Sequence, residues 1–320
     1  MTYEDFRKEW LDDGDTIAVK TSGSTGTPKR IVLSKDYVAE SARRTIGFFG
    51  IDSSSILHSC ISPDTIGGKM VMVRSILAGC RLSYETPTNR PAFPSSGDAQ
   101  ITLASVVASQ MLHVVTSPSL FRHVKTFLLG GSPVDSQLRS MIVGSGLDVY
   151  ESYGMTETAS HIALRHIDSL QPAPFIPLPG ITTNADSRGC LVITFPDGTS
   201  IATNDLSEVY PDGSFDITGR LDHMIITGGK KVNPTQLEKE LSQFTDFPFI
   251  ITSRPDIKWG HHIVMIVETC GRHFDESGFL KAAGEMLPHH MLPKEMIYVE
   301  KLPQLPGGKL DRRPLEQEQP

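Results

Sequence analysis

Thr21-Ser22-Gly23-Ser24-Thr25-Gly26-Thr27-Pro28-Lys29 gathers hydroxyl side chains, glycines and a lysine into one short run. Glycine lets backbone N–H groups converge on an anion. The Ser and Thr hydroxyls add donors, and Lys29 adds a point charge suited to phosphate. On either side, Thr16–Lys20 and Arg30–Ser34 read as short strands, and Pro28 disfavours a helical start at Thr27. The stretch is therefore a strand–loop–strand phosphate clamp. The strand–loop–helix alternative needs G-x-x-x-x-G-K-[ST], which this sequence lacks.

Around the clamp lies a chain of 320 residues, 39% hydrophobic and 21% charged, the composition of a globular protein with a sizeable core and either two domains or one large domain with an appendage. A formal charge of −7 argues against a nucleic-acid partner, which a basic face would serve, but leaves room for a small anionic substrate at a local basic loop. Cys60, Cys80, Cys190 and Cys270 are far apart and form no C-x-x-C pair, so reduced thiols are expected and structural zinc is not. No apolar run reaches the roughly 18 residues that span a bilayer, and the first residues do not resemble a signal peptide. The expectation is a cytoplasmic protein without membrane insertion.

Downstream, a short helix is expected around Phe6–Leu11. Ser34 can cap a second helix that Gly50 stops. A strand follows at 54–59 and a helix from about Gly68 to Gly79, then a Pro-, Thr- and Ser-rich loop at 86–98. The reading continues with a helix, the strand Thr126–Leu129, the turn Gly130-Gly131-Ser132-Pro133, a helix over 134–143 and a strand from Leu147 into Tyr153-Gly154-Met155-Thr156-Glu157. Strands alternating with helices through glycine turns imply an α/β fold with a largely parallel sheet. Ligands then sit beyond the carboxyl ends of the strands, where Gly130-Gly131 and Tyr153–Glu157 fall. Past four prolines in 171–181, Asp-Gly pairs at 197–198 and 212–213 signal hairpins in a small β-rich section. From Leu221 on, alternating strands and helices suit a small α+β domain. The boundary is drawn at Arg220-Leu221-Asp222, giving an N-terminal domain over 1–221 and a mobile C-terminal domain over 222–320.

Four stretches in this order carry a resemblance: Thr21–Lys29, Tyr153–Glu157, Asp216-Ile217-Thr218-Gly219-Arg220-Leu221-Asp222, and Leu305-Pro306-Gly307-Gly308-Lys309-Leu310-Asp311-Arg312. Together they resemble the superfamily of adenylate-forming enzymes, which includes acyl-CoA ligases, adenylation domains and luciferases. The resemblance implies ATP, Mg2+ and CoA as reactants or cofactors and a carboxylic acid as substrate. It places Thr21, Ser22, Gly23, Ser24, Thr25, Gly26, Thr27 and Lys29 on the phosphates, Gly130, Gly131, Ser132 and Tyr153 about the adenine, and Gly154 and Met155 among the other residues that bind ATP or AMP. Thr156 would reach the phosphates. Glu157 would hold Mg2+, Asp205 the ribose, and Arg220 the ribose or phosphates. Lys309 would stabilise charge on the reacting phosphorus, Asp222 would be the hinge, and Gly228, Gly229, Lys230 and Lys231 would face CoA. Asn204 stands where relatives have glycine, and His223 where an acid is usual.

The clamp begins early, at Thr21, and 59–69 lacks the usual aromatic-and-histidine motif. This compact form, with Gly68-Lys69-Met70-Val71-Met72-Val73-Arg74 and with Ser160-His161-Ile162-Ala163-Leu164-Arg165 after Glu157, resembles the short o-succinylbenzoate–CoA ligases of menaquinone synthesis. A dicarboxylate of that kind needs a cation near its far acid. Lys69 is the first candidate and Arg74 the second, with Ser160 and His161 bordering the acyl group. Two other readings share the motifs: an adenylation enzyme that loads a carrier protein, and a nucleotide-binding protein without catalysis.

Overall fold

The computed structural model describes residues 1–20, 30–93 and 99–302. The clamp loop Thr21–Lys29 and the Leu305–Arg312 motif with Lys309 lie outside the described residues. Internal contacts divide the chain into a unit of Met1–Thr182 and a second that begins at Thr183. No helix among the described residues is long and apolar enough to cross a membrane.

In the first unit, α1 (Tyr3–Leu11) starts earlier than the sequence reading, because Thr2 and Asp5 form a reciprocal capping box. It buries Tyr3, Phe6 and Trp10. β1 (Thr16–Lys20) and β2 (Arg30–Ser34) pair antiparallel, with Thr16 opposite Ser34 and Lys20 opposite Arg30. The chain thus leaves and re-enters the clamp at paired positions, as read. Ser34 caps α2 (Lys35–Phe49), and Gly50 ends it in the left-handed region (φ 61°). Then come β3 (Ile56–Ser59), α3 (Ile66–Ala78), β4 (Arg81–Tyr84), β5 (Ile101–Val107), α4 (Ala108–Thr116), β6 (Val124–Gly130), α5 (Ser136–Ser145), β7 (Val149–Met155), β8 (Ser160–His166) and β9 (Ile176–Pro177).

These strands form one sheet in the order β4-β3-β5-β6-β7-β8-β9. It is parallel from β4 to β7 and antiparallel at β8 and β9. The sequence reading has only a helix between the 86–98 loop and Thr126; the structure puts the central strand β5 there first. The reason is burial on both faces. Ala104 and Val106 pack with Met111, Leu138 and Ile142 of α4 and α5. Leu103 packs the other way with Val71 of α3. A strand covered on both sides shows no alternation, so its period is hidden. The carboxyl ends of β6 and β7 carry Gly130 and Tyr153–Met155, the position anticipated for a ligand.

The second unit begins within β10 (Thr182–Ala185), which β11 (Cys190–Thr194), β12 (Ser200–Val209) and β13 (Phe215–Arg220) follow as neighbours in that order in one sheet. The β11–β12 and β12–β13 turns contain the Asp-Gly pairs, with Gly198 at φ 82° and Gly213 at φ 83°. β14 (Ile225–Thr227), β15 (Lys230–Val232), α6 (Pro234–Leu241), β16 (Phe249–Asp256), β17 (Gly260–Glu268), α7 (Glu276–Met286) and β18 (Glu295–Val299) follow. Their sheet runs β15-β14-β17-β16, with β18 parallel beside β17. Leu237 and Leu241 of α6 and Phe279 and Ala283 of α7 share its core with Ile251, Ile263 and Met265. Arg220–Asp222 falls inside this unit, between its two sheets.

Candidate active site

The loop after β6 is held by one buried carboxylate. Glu151 on β7 accepts from the Val134 amide at 3.2 Å, and its other oxygen accepts from Arg139 Nη2 and Arg165 Nε, each at 2.8 Å. The Arg165 guanidinium lies 4.1 Å from the Phe175 ring centre, and Phe175 packs 5.8 Å from Tyr153. Glu151 thus fixes the chain at Val134, two residues past Ser132, and reaches Tyr153 only through Arg165 and Phe175. Glu151→Gln removes the charge and keeps the shape. Because it leaves buried Arg139 without a counter-ion, it is expected to cost about 3–5 kcal/mol in urea unfolding and to raise the KM for ATP about threefold, both measurable on one preparation.

β7 and β8 join through the turn Thr156–Ala159. Gly154 is required there: a Cβ would lie 2.2 Å from the Ser160 carbonyl oxygen and 2.5 Å from His161 Cα. The Thr158 hydroxyl accepts from the Met155 amide at 2.9 Å and reaches the Ser160 carbonyl at 2.6 Å. Ala159 (φ 50°) and Ser160 (φ 88°) sit in the left-handed region, backbone strain of a kind that clusters at functional sites. Its support comes from α2. Tyr37 Oη donates to the Glu157 carbonyl at 3.2 Å, Ser41 Oγ donates to the Ala159 carbonyl at 2.8 Å, and Thr45 Oγ1 lies 3.0 Å from His161 Nε2. Tyr37, Ser41 and Thr45 are spaced i, i+4, i+8, so they line one face of the helix. The sequence reading passed over this ladder, yet its signal was there: hydroxyls at helical spacing along an apolar face.

The two candidate cations go different ways. Lys69 is 1% exposed; its ammonium lies 3.9 Å from the Phe6 ring centre, 3.5 Å from Glu9 Oε2 and 3.1 Å from Met1 Sδ. It faces α1. Arg74 is 2% exposed and turns to β8, with Nη2 3.5 Å from His161 Nδ1. Its Nε has no hydrogen-bond partner, and no carboxylate pairs with it among the described residues. Burial pulls the guanidinium down to about 9. His161 is held well below the usual imidazole range by burial and then by Arg74. The structure thus brings Arg74, Ser160 and His161 together and leaves Lys69 apart.

In the second unit, Asp205 and Arg220 face each other across β12 and β13. Arg220 Nη1 donates to Asp205 at 2.7 Å, while its Nε and Nη2 grip Asp222 with two bonds of 2.9 Å. The ribose aspartate, the arginine and the hinge aspartate of the sequence reading form one chain of ion pairs. Gly228 (φ 56°) and Gly229 (φ 75°) make the tight turn between β14 and β15, leaving Lys230 and Lys231 exposed. A side chain at Gly228 would also strike Trp259, 2.8 Å away. Asn204 precedes Asp205 within β12, so no glycine turn is needed there.

Glu157 is exposed on its turn. Among the described residues no three His, Cys, Asp or Glu side chains gather as a metal cage. A lone carboxylate fits Mg2+, which keeps waters and takes phosphate oxygens as its other ligands.

The family model described as "AMP-binding enzyme" matches residues 6–188. The 2-succinylbenzoate–CoA ligase of Bacillus cereus (strain Q1) is 26% identical over 96% of this chain and 70% of its own length. That of Listeria monocytogenes serotype 4b is 27% identical over 93% and 68%. Among solved structures, an acyl-CoA synthetase (AMP-forming)/AMP-acid ligase II-like protein from Dyadobacter fermentans is similar with TM-score 0.64 and 27% identity, over 98% of this chain and 92% of that one. The o-succinylbenzoate CoA synthetase of Bacillus subtilis with OSB-AMP shares the fold at TM-score 0.77 and 20% identity, over 94% and 69%.

Proposed function

Because the chain belongs to the family of AMP-binding enzymes, we propose that it is an ATP-dependent carboxylate–CoA ligase whose acid bears a second carboxylate, with o-succinylbenzoate as the substrate. The observation that carries this reading is Arg74, a buried guanidinium with no carboxylate beside it among the described residues. A buried charge without a counter-ion is costly. An anionic group on the substrate would supply the missing partner through a two-pronged contact. The similarity to 2-succinylbenzoate–CoA ligases points to the same class of acid.

In the first step the substrate carboxylate attacks the α-phosphorus of ATP in line, forming the acyl–phosphate bond and expelling pyrophosphate. Tyr153 and the Gly130–Ser132 loop would orient the adenine, and Asp205 and Arg220 the ribose. The clamp Thr21–Lys29 would grip the phosphates, and Lys309 would offset charge growing at phosphorus. Glu157 would hold Mg2+, which neutralises phosphate charge when bound. In the second step the CoA thiolate attacks the acyl carbon and AMP leaves. Gly228, Gly229, Lys230 and Lys231 would receive CoA, and the C-terminal domain, pivoting at Asp222, would separate the two steps.

A panel of acids assayed for pyrophosphate release, with and without CoA, tests the reading. The best substrate should be o-succinylbenzoate, with the product heavier by CoA. Efficient release with simple monocarboxylic acids would overturn the assignment of the acid. Release without a CoA product would leave a carrier protein as acceptor.

A further inference from the structure

We propose that Thr45 and His161 are positioning residues that orient the Arg74 guanidinium, so that preference for a second carboxylate depends on a hydroxyl of α2 that touches no substrate. This rests on the reading of Arg74 as the anion subsite. Arginine can only donate. The ring nitrogen facing it, His161 Nδ1 at 3.5 Å, must therefore accept, which puts the imidazole proton on Nε2. That N–H meets Thr45 Oγ1 at 3.0 Å, and the Thr45 hydroxyl has the Ser41 carbonyl at 3.4 Å as its own acceptor. Ser160 Oγ, 3.5 Å from Nδ1, can donate to the same lone pair.

Every donor in this chain has an acceptor in one direction only: Arg74 to Nδ1, Nε2 to Thr45, Thr45 to Ser41. The other tautomer would point an N–H at a guanidinium and leave Thr45 facing a bare nitrogen. An imidazolium would set two cations against each other in a site where His161 is 5% exposed. Thr45 itself is fully buried, so its hydroxyl serves this chain and not solvent. The guanidinium of Arg74 is thereby held by a neutral acceptor that does not compete for its charge.

The test compares o-succinylbenzoate with 3-benzoylpropanoate, the same molecule without the ring carboxylate. Wild-type enzyme should favour the diacid in kcat/KM. Thr45→Val, close in shape, should cut that preference about tenfold, the size of one hydrogen bond. The loss should lie in KM for the diacid, with kcat and the KM values for ATP and 3-benzoylpropanoate unchanged. Thr45→Ser should restore the preference. An unchanged preference in Thr45→Val, or an equal loss with both acids, overturns the positioning role. Equal use of the two acids by the wild type overturns the Arg74 subsite itself. Nitrogen-15 spectra of histidine-labelled wild type, independent of any variant folding, should give His161 a protonated Nε2 and a bare Nδ1 from pH 5 to 9. The reverse tautomer, or titration in that range, also overturns the proposal.

Discussion

Arg74→Met should make the ligand-free protein melt several degrees higher and at the same time reduce kcat/KM for o-succinylbenzoate about 100-fold. The two signs come from one fact. Arg74 is fully buried on α3, and among the described residues its Nε has no hydrogen-bond partner and its Nη2 meets only the His161 imidazole. Desolvating such a cation costs several kcal/mol, and apolar replacements of buried charges are often stabilising by about 1–4 kcal/mol. In a unit of this size about 1 kcal/mol corresponds to roughly 2–4 °C. On the proposed reading the bound diacid would give the same guanidinium a counter-ion, and removing it would leave the substrate's carboxylate unpaired. That loss is worth about 2–5 kcal/mol. Differential scanning calorimetry with and without substrate, alongside steady-state kinetics, reads both effects. A lower melting temperature without ligand, or unaltered kcat/KM, would mean that Arg74 is a structural cation.

Lys309→Ala should reduce carboxylate-dependent ATP–pyrophosphate exchange about 10²- to 10³-fold, the effect of losing one donor aimed at developing charge. Thioester formation from supplied acyl-adenylate should stay within about twofold, because no charge then builds at phosphorus. Lys309 stands in a Pro-Gly-Gly-Lys setting that suits a mobile amine. An equal drop in both half-reactions would show instead that Lys309 serves the site as a whole.

How much of this could be read from the chain alone differs from place to place. The β1–β2 hairpin stands at the residues anticipated, since a short alternating strand before and after a glycine loop is a local pattern. The cap Ser34 and the stops Gly50 and Gly79 are local too. β5 was hidden because both its faces are covered, which erases the period that local reading needs. Glu151 shows the same limit. Its pairing with Arg139, Arg165 and the Val134 amide joins parts of the sequence that no spacing rule connects.

By itself the sequence determined the fold family and the order of its motifs, because glycine turns, capping residues and phosphate-binding donors act over a few neighbouring residues. Where the two cations of α3 come to rest was decided only by tertiary structure. Lys69 and Arg74 lie five residues apart on one helix, so their side chains leave it in different directions. One ends against Phe6 and Glu9, the other against His161. What surrounds a helix face is set by the elements packed on it, and here those are α1 on one side and β8, braced by α2, on the other.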